Sequence, residues 1–337
     1  MRRIAGFSSF NVHYEMFGYI IHYCKERQYE LTIYCDFRYE SGFMEYYNQT
    51  FQYPLLKFEN LWGDFEHAIN HYDAIVLFTD DDPEYNVYES RILNRTLLIE
   101  HCIFRRRNDI PIALSTRPFD FSLLEEAKTL SKIKNFNERS GPYWALPTYP
   151  LLQPHQKTRL SNLTRQTTVC ILGGFAEYNI DLIHRLQPLE NTDPIIKIYA
   201  VSRHMELNKF DQLDRTRFEV EIHKNIPVQE LMVLLKKTDF MLTDISRDNE
   251  YNTEKILMSG CIPMSFSLLI PLIISKQTNK YYQFQNVIEF DKQLHSPIPL
   301  QMIDPHKIHS ECCQMVAKNM HTLDILFDKL MTTSVSS

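Results

Sequence analysis

The stretch DFMLTDISRDNEYNTEKILMSGCIPMSFSLLIPLII, from Asp239 to Ile274, decides the fold of this chain. It passes from a short apolar run through a polar loop and returns to apolar residues after Gly260. We interpret this order as a buried strand, a loop, a short helix that ends at Gly260, and a second strand over Cys261 to Phe266. In an open α/β sheet, the loop after a strand and the start of the next helix form the usual ligand crevice. Three charged candidates lie in this loop: Glu250, Glu254 and Lys255.

The same alternation of apolar runs and helical patterns occurs twice along the chain, and such runs indicate parallel sheets covered on both faces. We expect an α/β protein with two Rossmann-like, doubly wound domains that face each other across a cleft. The expected boundaries are 1–155, 156–305, and 306–337 for a C-terminal helix and tail. In the first half we predict strands at Arg3–Phe10, Glu30–Phe37, Asp73–Thr79, Thr96–Ile103 and Ile110–Ser115. In the second half the main predictions are strands at Thr167–Leu172, Ile195–Val201, Phe218–Ile222, Phe240–Ile245 and Val287–Phe290, and helices at Ala176–Leu186 and Val228–Lys237.

Composition narrows the class of protein. The chain has 337 residues, of which 44% are hydrophobic and 23% charged, and these are globular values. A net charge of −6 argues against a nucleic-acid partner. Seven scattered cysteines without a CxxC pair predict a reducing compartment, and we expect a cytoplasmic protein. No apolar run approaches the ~20 residues of a membrane-spanning helix, so no transmembrane segment is expected.

Glycine is scarce, with 8 in the whole chain, and two of these are the adjacent Gly173 and Gly174. They follow a predicted strand and precede a predicted helix, where backbone without side chains lets N–H groups approach a phosphate. The alternative is a tight turn, because the pattern is neither GxGxxG nor a Walker loop. Arg203 follows another predicted strand and either clamps a diphosphate or is solvated. Lys255 competes for the same role.

The order of these features resembles the donor half of GT-B-fold glycosyltransferases. The elements that carry the resemblance are a strand followed by Gly-Gly, and a strand, acidic loop, helix and Ser-Gly-Cys-Ile-Pro ending at Pro263. Thr253-Glu254-Lys255 is also similar to an element of fucosyltransferases, although here the lysine lies nearer to the glycine. The N-terminal run NVHYEMFGYIIHYC is similar to glycosyltransferase-like proteins of large DNA viruses.

The resemblance implies transfer of a hexosyl or pentosyl unit from a nucleoside-diphosphate sugar to a hydroxyl of a glycan, lipid or protein. A UDP- or GDP-sugar would bind the second domain, and no essential cofactor is expected. Glu254 would accept hydrogen bonds from ribose or sugar hydroxyls, while Glu250 has the alternative of capping a helix. Gly173, Gly174, Arg203 and Lys255 would surround the diphosphate, and Gly260 would close the donor element.

The same resemblance implies that acceptor-side residues lie in the first half. Inverting GT-B enzymes often place a base in the first strand-to-helix loop, which here is FSSFNVHYE with His13. A histidine near its ordinary pKa can take the proton of an acceptor hydroxyl. Glu15 would orient this histidine or begin the helix. His101 follows the predicted strand TLLIE and is a candidate for hydrogen bonding the transferred sugar.

Three carboxylates, Asp80, Asp81 and Asp82, directly follow the run DAIVLFT. We interpret them as acceptor-side groups, with Asp80 as a second candidate base. Their similarity to the DxD metal motif of GT-A glycosyltransferases leaves open a metal-dependent transferase that uses Asp80 and Asp82. A non-catalytic two-domain sugar- or nucleotide-binding protein is the other alternative. A dehydrogenase or epimerase is disfavoured because the first loop lacks GxGxxG.

Overall fold

The computed structural model describes residues 1–8, 14–38, 41–61, 69–78, 95–100, 112–115, 143–147, 150–161, 166–173, 180–190, 192–202, 207–243 and 260–333. The chain forms two compact units. The first comprises Met1–Pro150 together with Met315–Ser337, and the second comprises Leu151–Gln314. None of the helices within the described ranges combines the length and the apolar character that crossing a membrane requires.

The first unit is built on a parallel sheet. Its described strands are β1 (Arg3–Ser8), β2 (Glu30–Cys35), β3 (Leu56–Asn60), β4 (Ala74–Leu77), β5 (Thr96–Glu100) and β6 (Ile112–Ser115). They are hydrogen bonded in the order β3-β2-β1-β4-β5-β6. The described helices are α1 (Phe17–Arg27) and α2 (Phe43–Phe51), with short 3-10 helices at Tyr14–Met16 and Ile69–His71. The central strands consist of buried apolar residues because helices cover such sheets on both faces.

The second unit repeats this plan. Its strands are β7 (Gln166–Leu172), β8 (Leu186–Gln187), β9 (Asp193–Ser202), β10 (Phe218–Lys224), β11 (Phe240–Leu242), β12 (Leu272–Ser275), β13 (Val287–Phe290) and β14 (Ile298–Pro299). The main sheet is parallel with the order β10-β9-β7-β11-β12-β13, and β8 pairs separately with β14. The helices are α3 (Pro154–Ser161), α4 (Ile180–His184), α5 (Val228–Lys236), α6 (Cys261–Ser267) and α7 (Lys276–Tyr282), with a 3-10 helix at Leu207–Gln212. Helix α8 (Pro305–Thr333) begins in this unit and belongs to the first unit from Met315 onward.

Both sheets have the strand order of a doubly wound fold. When only the strands of each six-stranded sheet are numbered along the chain, both sheets run 3-2-1-4-5-6, so the direction of winding reverses between strands 1 and 4. The prediction of an α/β protein with two doubly wound domains is therefore confirmed. The reversal points lie between β1 and β4 in the first unit and between β7 and β11 in the second.

One predicted strand is wrong. Cys261 to Phe266 forms helix α6, and the strand follows later, at Leu272–Ser275. All seven residues of α6 are buried, and a helix buried on every side has the same continuous apolar pattern as a buried strand. Pro263 lies in the first turn, where a helix does not need its N–H, so it does not prevent the helix.

A second difference concerns the segment predicted as a helix from Ala176 to Leu186. The described part is helical at Ile180–His184, but Leu186 belongs to strand β8. Leu186 pairs with Ile298, which is far away in the sequence, and the side chain of Leu186 is fully buried. A long-range pairing of two residues per strand leaves no periodic signal in the sequence, so the prediction missed it.

Helix α8 packs on the first unit through its C-terminal half. The ring of Phe327 stacks on Tyr23 of α1 with centroids 4.9 Å apart. Arg27 pairs with Asp324 through both oxygens, at 2.9 and 2.6 Å. These contacts cover the C-terminal part of α1, where Tyr23 is buried and Arg27 remains partly exposed.

A buried lysine holds α3 against the second sheet. The ammonium group of Lys157 donates a hydrogen bond to the carbonyl oxygen of Thr238, next to the start of β11. Burial lowers the pKa of Lys157 to about 8, and the nearby charge of Asp239 offsets part of this shift. Burial also raises the pKa of Asp239, although this carboxylate accepts two hydrogen bonds from Thr168.

Lys157 predicts a specific dependence of stability on pH. Between about pH 8 and its ordinary value of 10.5, the folded state has lost this proton and the unfolded chain still holds it. The free energy of unfolding contributed by this group therefore rises with pH in that window, by up to about 1.4 kcal/mol per pH unit. Lys157→Met should lack this slope. Urea denaturation of both proteins at about pH 7.5 and about pH 9.5 measures it, and equal pH slopes would contradict the prediction.

Candidate functional site

The carboxyl edge of the second sheet is the candidate donor site. In doubly wound sheets, ligands bind outside the carboxyl ends of the strands where the winding direction reverses. Here that point lies between Leu172, the last residue of β7, and Leu242, the last residue of β11. Strand β9, which ends at Ser202, lies on the other side of β7. Gly173 and Thr243 are the first residues beyond the two reversal-point strands.

Gly173 has the geometry of a residue that must remain a glycine. Its φ is +124°, a conformation that other L-residues rarely adopt. Its N–H donates to the carbonyl oxygen of Val201 at 3.0 Å, which ties the end of β7 to β9. A Cβ atom on Gly173 would meet no atom within 4 Å. One side of the Gly173 backbone, which we call its open backbone face, is therefore accessible to a ligand at this edge. The N–H of Gly173 itself is already hydrogen bonded to Val201.

Helix α6 begins at the same edge. Its first residue, Cys261, is 1% exposed, and the thiol donates a hydrogen bond to the carbonyl oxygen of Leu172 at 3.1 Å. Gly260 precedes the helix with ordinary helical angles, φ −58° and ψ −18°. Of the predicted donor residues, the described structure thus brings Gly260 and Gly173 to one edge through the contact between Cys261 and Leu172.

The corresponding edge of the first unit lies at the ends of β1 and β4. Ser8, the last residue of β1, is fully buried, and its hydroxyl has no hydrogen-bond partner in the described structure. An unpaired buried hydroxyl costs about 1–3 kcal/mol, so a native structure rarely keeps one without a reason. Ser8 is therefore an additional candidate at this edge. Sequence patterns do not single out Ser8 from the adjacent Ser9, because the feature that distinguishes it is a buried hydroxyl without a partner.

A buried acid follows β2, the strand next to β1. Asp36 follows β2, whose last residue pairs with Ser8, and its side chain is only 4% exposed. Arg38 binds both carboxylate oxygens, with its closest contact at 2.6 Å. Tyr14 donates from its hydroxyl to the carbonyl oxygen of Asp36 at 3.0 Å, and Tyr47 donates to the carbonyl oxygen of Tyr14 at 3.1 Å. These contacts fix the chain where the first 3-10 helix begins.

Most of the candidates predicted from the sequence lie outside the described residues. They are His13, Asp80, His101, Gly174, Arg203, Glu250, Glu254 and Lys255. The structure does establish the strand that precedes each of them. His13, Asp80 and His101 follow β1, β4 and β5, which are neighbours in the first sheet. Gly174, Arg203 and the acidic loop follow β7, β9 and β11, which are neighbours in the second.

Metal ligation by the aspartate triplet is not tested by the structure. No group of three or more histidine, cysteine, aspartate or glutamate side chains suited to a metal occurs among the residues that the structure describes. The triplet itself, Asp80, Asp81 and Asp82, lies outside them. Metal independence therefore stays a prediction.

Comparison with solved structures places this fold among known proteins. HepE from Anabaena, solved with UDP and glucose, aligns over 100% of this chain and 98% of its own, with 10% identity and a TM-score of 0.55. AviGT4, a glycosyltransferase involved in avilamycin A biosynthesis, aligns over 100% and 96%, with 8% identity and a TM-score of 0.53. An alpha-glucosyltransferase solved with UDP aligns over 98% and 95%, with 10% identity and a TM-score of 0.50. Neither family models nor curated proteins match the sequence. The chain therefore has the two-domain GT-B fold of these glycosyltransferases.

Proposed function

We propose that this protein is a glycosyltransferase that moves a hexosyl or pentosyl unit from a nucleoside-diphosphate sugar to an acceptor hydroxyl. The observation that carries the proposal is the open backbone face of Gly173 at the reversal point of the second sheet. A diphosphate needs such a place, where no side chain keeps the backbone at a distance. Two proteins of the same fold, HepE and the alpha-glucosyltransferase, were solved with UDP, which makes UDP the first nucleotide to test.

The donor side is assigned to the loops after β7, β9 and β11. Gly173, Gly174, Arg203 and Lys255 would surround the diphosphate, because glycine permits close approach and cations offset its charge. Glu254 would accept hydrogen bonds from ribose or sugar hydroxyls, with Glu250 and Gly260 in support. These roles rest on the strands that the candidates follow and on the resemblance of the segment ending at Pro263.

The acceptor side is assigned to the loops after β1, β4 and β5. His13 or Asp80 would take the proton of the acceptor hydroxyl as its oxygen attacks the anomeric carbon of the sugar. The bond from that carbon to the diphosphate breaks, and the negative charge passes to the departing nucleoside diphosphate. Backbone N–H groups and cations stabilise this charge, which is usually the largest contribution to such catalysis. His101 would hydrogen-bond the transferred sugar, and no essential metal is proposed.

Cytoplasmic location belongs to the same proposal. Five of the six described cysteines are buried, and none of the six forms a disulfide bond within the described residues. Reduced cysteines are typical of a reducing compartment.

Ligand-dependent thermal stability tests the proposal. A ligand that binds only the folded state stabilises it by about 2.7 kcal/mol at a hundred times its dissociation constant. We expect UDP or GDP and one of its sugars to raise the melting temperature, and CMP to have no effect. Sugar transfer or donor hydrolysis should then be lost in His13→Ala, Asp80→Asn or Glu254→Gln.

Three results would contradict this assignment. No shift with any nucleotide at millimolar concentration would argue against a donor site. A shift without transfer or hydrolysis would instead favour a non-catalytic binding protein. Loss of turnover on chelation, restored by manganese, would move the chemistry to Asp80 and Asp82.

A further inference from the structure

We infer that Cys261 is a positioning residue for the donor nucleotide, acting through the backbone of Leu172 and Gly173. The inference rests on the proposed function, because it concerns the same donor edge. It assigns a role to a side chain that touches no ligand, since the thiol is buried at the start of α6.

A donor diphosphate would meet the backbone at the end of β7. Leu172 ends β7, and Gly173 turns away from the strand with φ +124°. Such a backbone turn keeps its geometry only if the peptide group that leads into it is held. The N–H of this group, on Gly173, donates to the carbonyl oxygen of Val201 at 3.0 Å.

The other end of the same peptide group is the carbonyl of Leu172. Its oxygen accepts a hydrogen bond from the thiol of Cys261 at 3.1 Å. The two contacts fix the orientation of the peptide unit between Leu172 and Gly173, one at its carbonyl and the other at its N–H. That orientation determines which way the open face of Gly173 points.

The thiol of Cys261 also connects two parts of the donor edge, the end of β7 and the start of α6. Cys261 is the first residue of α6, and it lies 89 positions after Leu172. The thiol therefore links the end of β7 to the helix that follows the acidic loop. A change at this contact alters the spacing between the Gly173 turn and the segment that begins at Gly260.

The test measures the affinity for UDP by titration calorimetry in four proteins: wild type, Cys261→Ala, Cys261→Ser and Cys170→Ala. Cys261→Ala removes the donor to Leu172 and should weaken UDP binding by about threefold to fivefold, the worth of one weak hydrogen bond. Cys261→Ser keeps a donor at the same place and should restore the affinity to within about twofold of wild type. For the natural donor, the KM should rise in Cys261→Ala while kcat stays nearly constant.

Cys170→Ala is the matched control. Cys170 is a fully buried thiol in β7, the strand whose last residue accepts the hydrogen bond from Cys261. Its replacement by alanine removes the same atoms from the core but leaves the hydrogen bond between Cys261 and Leu172 in place. The melting temperature should fall similarly in both alanine variants, but UDP affinity should fall only in Cys261→Ala. The binding stoichiometry reports the folded fraction, so partial unfolding of a variant does not obscure its affinity.

The outcomes separate this inference from the proposed function. If wild type does not bind UDP or any other nucleotide, the proposed function fails and the inference fails with it. If wild type binds UDP and Cys261→Ala binds equally well, the positioning role is wrong and the proposed function stands. Equal weakening in Cys261→Ala and Cys170→Ala would also overturn the role, because it would make the effect one of general packing.

Discussion

Gly173→Val is expected to lose UDP binding by more than about tenfold, which corresponds to at least 1.4 kcal/mol of binding free energy. Two effects combine in this variant. The valine side chain fills the open space beside Gly173, where a Cβ atom would have no other atom within 4 Å. A donor diphosphate could then no longer approach the backbone. The φ of +124° also strains any L-residue, at a cost of about 1–3 kcal/mol in stability.

Gly42→Val separates these two effects. Gly42 also has a positive φ, +86°, and it lies in the first unit, before α2. This variant should lose comparable stability and keep wild-type affinity for UDP. Calorimetric titration at a temperature where all three proteins are folded provides the measurement. Wild-type affinity in Gly173→Val would show that the donor does not approach this glycine.

Phe327→Ala is expected to have the largest effect on stability, a loss of about 3–5 kcal/mol in the first unit. Phe327 is fully buried and stacks on Tyr23 of α1 at a centroid distance of 4.9 Å. Removing the ring leaves a cavity between α8 and α1, and it also ends an aromatic pair worth about 0.5–1.5 kcal/mol beyond burial. Urea denaturation followed by circular dichroism measures the change.

The neighbouring residue Asp328 provides the control for this variant. Its side chain is exposed on the same turn of α8, so Asp328→Ala should change stability by less than about 0.5 kcal/mol. A loss below about 1 kcal/mol in Phe327→Ala would mean that the C-terminal half of α8 contributes little to the first unit. Limited proteolysis gives an independent readout, because an undocked helix is cleaved sooner.

The sequence predicts secondary structure correctly where an apolar pattern is compatible with either a helix or a strand, but not with both. Val287–Phe290 was predicted as a strand and is a strand with the same bounds. Val228–Lys236 was recognised as a helix because its apolar residues recur at helical spacing. The reasoning failed at Cys261, because burial on all sides makes a helix and a strand equally apolar.

Some residues of the candidate site could likewise be predicted from the sequence, and others could not. Gly173 was found from the sequence, because glycine is scarce in this chain and stands where a predicted strand ends. From the sequence, Cys261 was only one of seven scattered cysteines and the start of a predicted strand, since its partner Leu172 is far away in the sequence. Ser8 was missed entirely, because an absent hydrogen bond is a property of the surrounding structure.

The sequence by itself determined the class of fold and the order of its elements. Local periodicity and turn residues report on backbone conformation within a few residues, and they repeated twice along this chain. Only the tertiary structure decided which strand ends are neighbours, where the winding reverses, and that the thiol of Cys261 holds the carbonyl of Leu172 beside Gly173. The physical reason is that these features depend on contacts between distant residues, which arise when the sheets assemble.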